Sequence, residues 1–169
     1  MPTQSPLTPS SDGAGSQSDH PTPFDPVTAT AKELERLSIN FANALNAHDY
    51  DFNQSPEAAE TRAHVAKDWR ALFDTVNNSQ PVTFEEQVVN WKQRAQESPN
   101  VRFEPVDVSS DVDMTKGRAS VFCEMEVYGL GNVALQAMNE MKWRKDNDGR
   151  WECYFVIGFR GTRMNSGYG

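Results

Sequence analysis

The chain predicts an α+β fold in which N-terminal helices pack against one face of an antiparallel sheet. Apolar residues recur at spacings of three and four before Pro99, and at every second position beyond it. The last two alternating runs flank Asp146-Asn-Asp-Gly149, a cluster with the backbone freedom a tight reversal needs. Helices first and a strand meander after them leave an α+β arrangement as the simplest packing.

The first helix is expected near Thr30, where Thr30-Ala-Lys-Glu33 has the form of a capping box. Leu34, Leu37, Phe41, Leu45 and His48 then mark one buried stripe, with Asn40, Asn43 and Asn46 on the opposite side. The helix should end between Ala47 and Asp49. Ser55-Pro56-Glu57 reads as N-cap, Pro at the first helical position and a favourably placed acid, opening a short helix to about Ala66. Trp69–Asp74 reads as extended and Asn77–Pro81 as loop. A second capping box, Thr83-Phe-Glu-Glu86, opens a helix carrying Phe84, Val88, Trp91 and Ala95 on one side and stopping at Ser98-Pro99.

Strands are expected over Val101–Val108, Gly117–Tyr128, Val133–Lys145 and Arg150–Gly161, with Ser109–Thr115 as a connection. In the third, Ala134–Met141 holds good helix formers, yet Leu135, Ala137, Asn139, Met141 and Trp143 alternate with polar residues, which favours a strand. On the closing hairpin alternation groups Trp143, Trp151, Phe155 and Phe159 on an inner face, and sends Tyr154 and Val156 outward with Phe122, Tyr128 and Met138. A sheet apolar on both faces needs its outer face covered, which suggests a homodimer formed sheet to sheet.

Composition sets the domain limits. Residues 1–27 hold six of the ten prolines and few large apolar side chains, the signature of a disordered tail, leaving 28–161 as the folded domain and 162–169 as a short flexible end. The net charge of −8 and the lack of a basic stripe exclude the electrostatics of nucleic-acid binding. No apolar run reaches membrane-spanning length and no signal-peptide pattern opens the chain, so a cytoplasmic protein is expected. Cys123 and Cys153 are expected as free buried thiols. His20, His48 and His64 lack metal-ligand spacing, so neither metal nor cofactor is expected.

The helix ending in Asn46-Ala-His-Asp-Tyr50, and the closing strands Glu140-Met-Lys-Trp-Arg144 and Gly149-Arg-Trp-Glu152, resemble the SnoaL-like branch of the nuclear transport factor 2-like superfamily over roughly Thr28 to Gly161. The resemblance implies a cone: a strongly curved sheet wrapped around helices, a barrel-like shape with a cavity at one end. It implies cofactor-free cyclases, isomerases or dehydratases of hydrophobic, polyketide- or terpenoid-like molecules in secondary metabolism, or non-catalytic ligand-binding or dimerisation modules. In isomerase-like members a general base lies on the first strand after the second helix. Here Phe73 falls closest and Asp74 is adjacent. A donor to the substrate oxygen lies on the next-to-last strand, matching Asn139. The tyrosine of the first helix is replaced, since Phe41 or Asn40 stands there.

The residues themselves allow two readings at each position. Asp74 would be a base shielded by Trp69 and Phe73, or a solvated residue capping a turn. Asn139 is a polar residue on an apolar face: an oxyanion donor, or a core amide bonded to its neighbours. His64 is a proton carrier or a surface residue. Phe41, Tyr50, Trp69, Phe73, Trp91, Met141 and Trp143 are first a core, and secondly the candidate walls of a site for a hydrophobic small molecule.

Overall fold

The computed structural model describes residues 24–73 and 80–161. Three helices, α1 (Pro26–Asn46), α2 (Pro56–Ala63) and α3 (Phe84–Glu97), accompany six strands. These are β1 (Val65–Phe73), β2 (Val82–Thr83), β3 (Arg102–Asp113), β4 (Arg118–Tyr128), β5 (Leu135–Lys145) and β6 (Trp151–Gly161). The strands form one curved, unclosed sheet in the order β2-β1-β6-β5-β4-β3. Neighbours are antiparallel except β1 and β6, which run parallel. The tail expected over residues 1–27 lies outside the described residues as far as 23, and the C-terminal end from 162 also lies outside them.

Helix α1 starts earlier than the Thr30 box implies. Asp25 is the N-cap, its carboxylate accepting from the Val27 N–H at 3.1 Å, and Pro26 takes the first helical position. An Asp-Pro pair upstream satisfies the exposed N–H groups first, and Glu33 is left to pair with Arg36 at 2.7 Å. The expected stripe packs as read at Leu34, Leu37 and Phe41, which are 0%, 0% and 5% exposed. Burying each contributes about 1.5–3 kcal/mol. The stripe ends before His48, which is exposed in a left-handed conformation (φ 57°) and stacks on Tyr50. Asn46, expected on the solvent side, bonds the Phe103 backbone twice: its amide donates to the carbonyl at 2.7 Å, and its oxygen accepts from the N–H at 2.8 Å. One side chain thus ties the end of α1 to the sheet edge.

Helix α2 has the expected Ser55 cap and Pro56, but it stops at Ala63. Its continuation is captured by the sheet: Cys153 N–H donates to the His64 carbonyl at 2.7 Å, and Val65 pairs with Cys153. Tertiary pairing overrides a local preference. The Thr83 capping box of α3 forms in full, with reciprocal bonds of 2.8 and 3.2 Å to Glu86.

Strand β3 runs through Ser109–Asp113, which the sequence presents as a connection. Alternate residues explain it: Val108 and Val112 pack on the core, and Ser110 donates to Glu35 on α1 at 2.6 Å, while Ser109 and Asp111 face solvent. The last strand differs more instructively. Trp143 pairs with Cys153 but Lys142 pairs with Phe155, so Tyr154 is an extra residue in β6. The bulge reverses the alternation beyond it. Val156 turns inward (4% exposed) and pairs with Met141, while Phe155 and Ile157 turn outward opposite Lys142 and Glu140. Tyr154 itself lies beneath the guanidinium groups of Arg118 and Arg144. The inner face is therefore Trp151, Cys153, Val156 and Gly158, correcting the grouping that strict alternation gives.

Candidate functional site

A cavity of about 390 Å³ opens between α1, α3 and the inner face of the sheet. Three walls of different chemistry build it. From α1 come Ser38, Phe41, Ala42 and Leu45, spaced so that they share one helical face. From the sheet come Trp69, Phe73, Met125, Met141 and Val156. These two walls are apolar. Behind them Phe41, Phe52, Phe84 and Trp91 form an aromatic cluster with ring centres 5.3–6.1 Å apart, which closes the base.

The third wall is polar. Helix α3 turns Gln87, Asn90, Arg94 and Glu97 toward the cavity, with Trp91 on the same side. Asn90 and Glu97 are exposed at the rim, while Gln87 and Arg94 are drawn back from water, where a face that only filled a core would be apolar. Gln87 is 7% exposed, and the Asn90 amide reaches it at 3.4 Å.

One cross-strand row sets the sheet side of the site. Phe73, Gly158, Asn139 and Cys123 lie opposite one another on β1, β6, β5 and β4. Gly158 is the gap in that row. A Cβ there would come within 2.4 Å of the Phe73 ring and 2.8 Å of the Asn139 Oδ1, so only glycine admits both into one pocket. Asn139 lines the cavity, and its amide has no hydrogen-bond partner among the described residues. Ser38, 1% exposed, also lines the cavity with its Oγ unpartnered. The Ser38 hydroxyl is thus buried and unmatched, and an unmade hydrogen bond there costs about 1–3 kcal/mol, while Asn139 is half-buried.

The sequence-derived candidates separate into groups. Phe41, Trp69, Phe73, Trp91, Met141 and Asn139 all line the cavity. Trp143 is fully buried in the core behind the lining, and Tyr50 stacks on His48 away from it. His64 is also elsewhere: it caps α2, and its Nδ1 lies 2.6 Å from the Trp151 carbonyl, which orients the ring for structure. Asp74 lies outside the described residues.

Cys123 borders the cavity, but burial, with a smaller contribution from the charge of Asp107, pushes its thiol up to about 11. Burial pushes Cys153 up to about 12. Both are protonated at neutral pH and unsuited to nucleophilic work. They are free, and β5 separates their strands. Among the described residues no group of three or more His, Cys, Asp or Glu side chains could hold a metal ion, and no helix is long and apolar enough to cross a membrane.

At the level of sequence, no family model and no curated protein matches the chain. Solved structures do. An NTF2-like protein from Pseudomonas putida KT2440 superposes with a TM-score of 0.61 at 14% identity, over 82% of this chain and 91% of that one. The chain has the NTF2-like fold. A candidate dehydratase of the NTF2-like family from Streptomyces avermitilis gives a TM-score of 0.56 at 15% identity, covering 79% of this chain and 97% of the other. A candidate ketosteroid isomerase from Shewanella frigidimarina gives 0.53 at 14% identity, covering 72% and 90%. At such identities the likeness concerns the fold, and a fold that hosts many chemistries does not assign one.

The residues that sequence reasoning missed are Ser38 and the polar stripe of α3. Both carried a signal. Ser38 stands three and four positions before Phe41 and Ala42, on their face. Gln87, Asn90, Trp91 and Arg94 show the same three-and-four spacing, hidden because periodicity is ordinarily sought in apolar residues.

Proposed function

We propose that the cavity binds a hydrophobic small molecule, and that the protein acts on it as a cofactor-free cyclase, isomerase or dehydratase of the SnoaL-like kind. The supporting observation is that the Ser38 hydroxyl, buried without a partner, and the Asn139 amide face the same cavity beside its apolar walls. Such a space holds a hydrophobic body, and the two groups fix its oxygens. Asn139 donates to an oxygen that gains charge as a proton leaves the adjacent carbon. Asp74, following Phe73 of the cavity row, takes that proton. A polyketide- or terpenoid-like substrate from secondary metabolism has the required apolar body and carbonyl oxygens. His64, held at Trp151, has no part in this scheme.

A second reading is a non-catalytic binding module. It is favoured by the titratable groups of the described lining, which are Arg94, Glu97 and the protonated Cys123. Mass spectrometry of the purified protein for a co-purified ligand, followed by assay of Asp74→Asn, decides between them. Loss of turnover with ligand binding retained supports the enzyme. Turnover unchanged in Asp74→Asn removes the proposed base.

We also place the protein in the cytoplasm, where buried free thiols stay reduced. It pairs sheet to sheet through Phe122 and Met138, which are 38% and 40% exposed. Sedimentation should show a dimer that Met138→Glu dissociates; a monomer in the unmodified protein overturns the pairing.

A further inference from the structure

Arg94 is the exception among the arginines with described side chains. Every other arginine with a described side chain has a partner. Arg36, Arg102, Arg144 and Arg150 pair with carboxylates. Arg62 and Arg118 lie over the rings of Phe84 and Tyr154, and Arg70 donates to the Trp69 carbonyl. The guanidinium of Arg94 makes no ion pair, ring contact or hydrogen bond among the described residues, although it is half-buried on the cavity wall. Its position in the last turn of α3 suits the helix dipole. That accounts for a positive charge on the helix and not for its partial withdrawal from water. The acid in the same wall, Glu97, forms no ion pair with it and accepts from the Gln93 amide at 2.9 Å.

Arg94 is also the one cation among the described lining residues. A phosphate or a dianion is normally met by several cations or by a helix N-terminus, and neither is offered here. One planar fork above an apolar chamber matches a single carboxylate. Ser38 and Asn139 face the same space, so one cation and neutral hydrogen-bonding groups surround an apolar centre.

We propose that the natural ligand is an amphipathic carboxylic acid, with its carboxylate on Arg94 and its apolar body between Phe41, Trp69, Phe73 and Met141. The assignment rests on the reading of the cavity as a small-molecule site and narrows its substrate class. In a chain of net charge −8, anions are repelled at long range, so preference for a carboxylate reports a local cation rather than the overall field.

The test is a pair of isosteric probes, 2-naphthylacetate and 2-naphthylacetamide, titrated by calorimetry against the full chain. The unmodified protein should bind the acetate about tenfold more tightly than the amide, the size expected for one charge-assisted contact. Arg94→Gln should lower acetate affinity to that of the amide and leave amide affinity within about twofold. Arg94→Lys, which keeps charge but not the fork, should retain a smaller preference. Circular dichroism confirms that each variant is folded. Equal affinities in the unmodified protein, or a preference that survives Arg94→Gln, overturn the carboxylate assignment while leaving a small-molecule cavity. Failure of both probes to bind folded protein overturns the cavity reading itself, and the carboxylate assignment with it.

Discussion

Gly158→Ala opposes two effects of known sign. The position is not in the left-handed region, so alanine can adopt its backbone conformation, and a lower unfolded-state entropy alone would stabilise the chain by about 0.4–1 kcal/mol. Packing says the reverse. The new methyl would lie 2.4 and 2.9 Å from two ring carbons of Phe73 and 2.8 Å from the Asn139 oxygen. Ordinary van der Waals contact begins near 3.4 Å, so the worst overlap is about 1 Å. Insertion of a methyl into a filled site costs about 1–3 kcal/mol, which outweighs the entropic gain. The net expectation is a loss of about 1–2 kcal/mol. With a urea slope of about 1.5–2 kcal/mol/M, the unfolding midpoint should fall by roughly 0.5–1 M. Phe73 has one escape, which is to swing into the cavity; stability would then recover partly and naphthyl-probe affinity would fall. A variant at least as stable as the unmodified protein, with probe binding unchanged, would refute the row of Phe73, Gly158 and Asn139.

Two further perturbations test other parts of the account. Asn46→Ala leaves the Phe103 N–H and carbonyl without their partners, so stability should drop by about 1–3 kcal/mol and the Phe103 amide should exchange faster with deuterium. Unchanged protection at Phe103 would show that Asn46 does not hold that edge. The thiols set the alkaline limit: Cys123 and Cys153 are raised from 9.0 to about 11 and about 12. The folded state then holds protons that the unfolded chain releases. Their contribution is complete below pH 9 and is lost as pH rises from 9 to about 11 for Cys123 and to about 12 for Cys153, at up to about 1.4 kcal/mol per pH unit for each thiol. Denaturation midpoints measured across that range in Cys123→Ala/Cys153→Ala and unmodified protein should converge; parallel curves would contradict buried, protonated thiols.

Much of the architecture is legible in local pattern. The Thr83 capping box, the Leu34–Leu37–Phe41 stripe and the alternation of Asn139, Met141 and Trp143 each state a short-range physical rule, and each forms as read. The departures arise where a distant partner decides. Val65 leaves helix for strand because Cys153 lies beside it, and Ser109–Asp113 is extended because α1 receives Ser110. The bulge at Tyr154 is the costliest to miss, since one unpaired residue reverses the inner and outer faces beyond it. At the site, apolar candidates were found because burial and hydrophobicity coincide. Ser38 and Arg94 were missed because a polar residue facing a cavity looks, in sequence, like one facing water.

The central claim is that a hydrophobic molecule occupies the space between α1, α3 and the sheet. Methionine methyl NMR tests it most directly, because Met125 and Met141 line that space while Met138 lies 40% exposed on the opposite face. Titration with 2-naphthylacetamide should shift the Met125 and Met141 methyl signals and leave Met138 in place. Shifts confined to Met138, or none at millimolar probe, would contradict the claim.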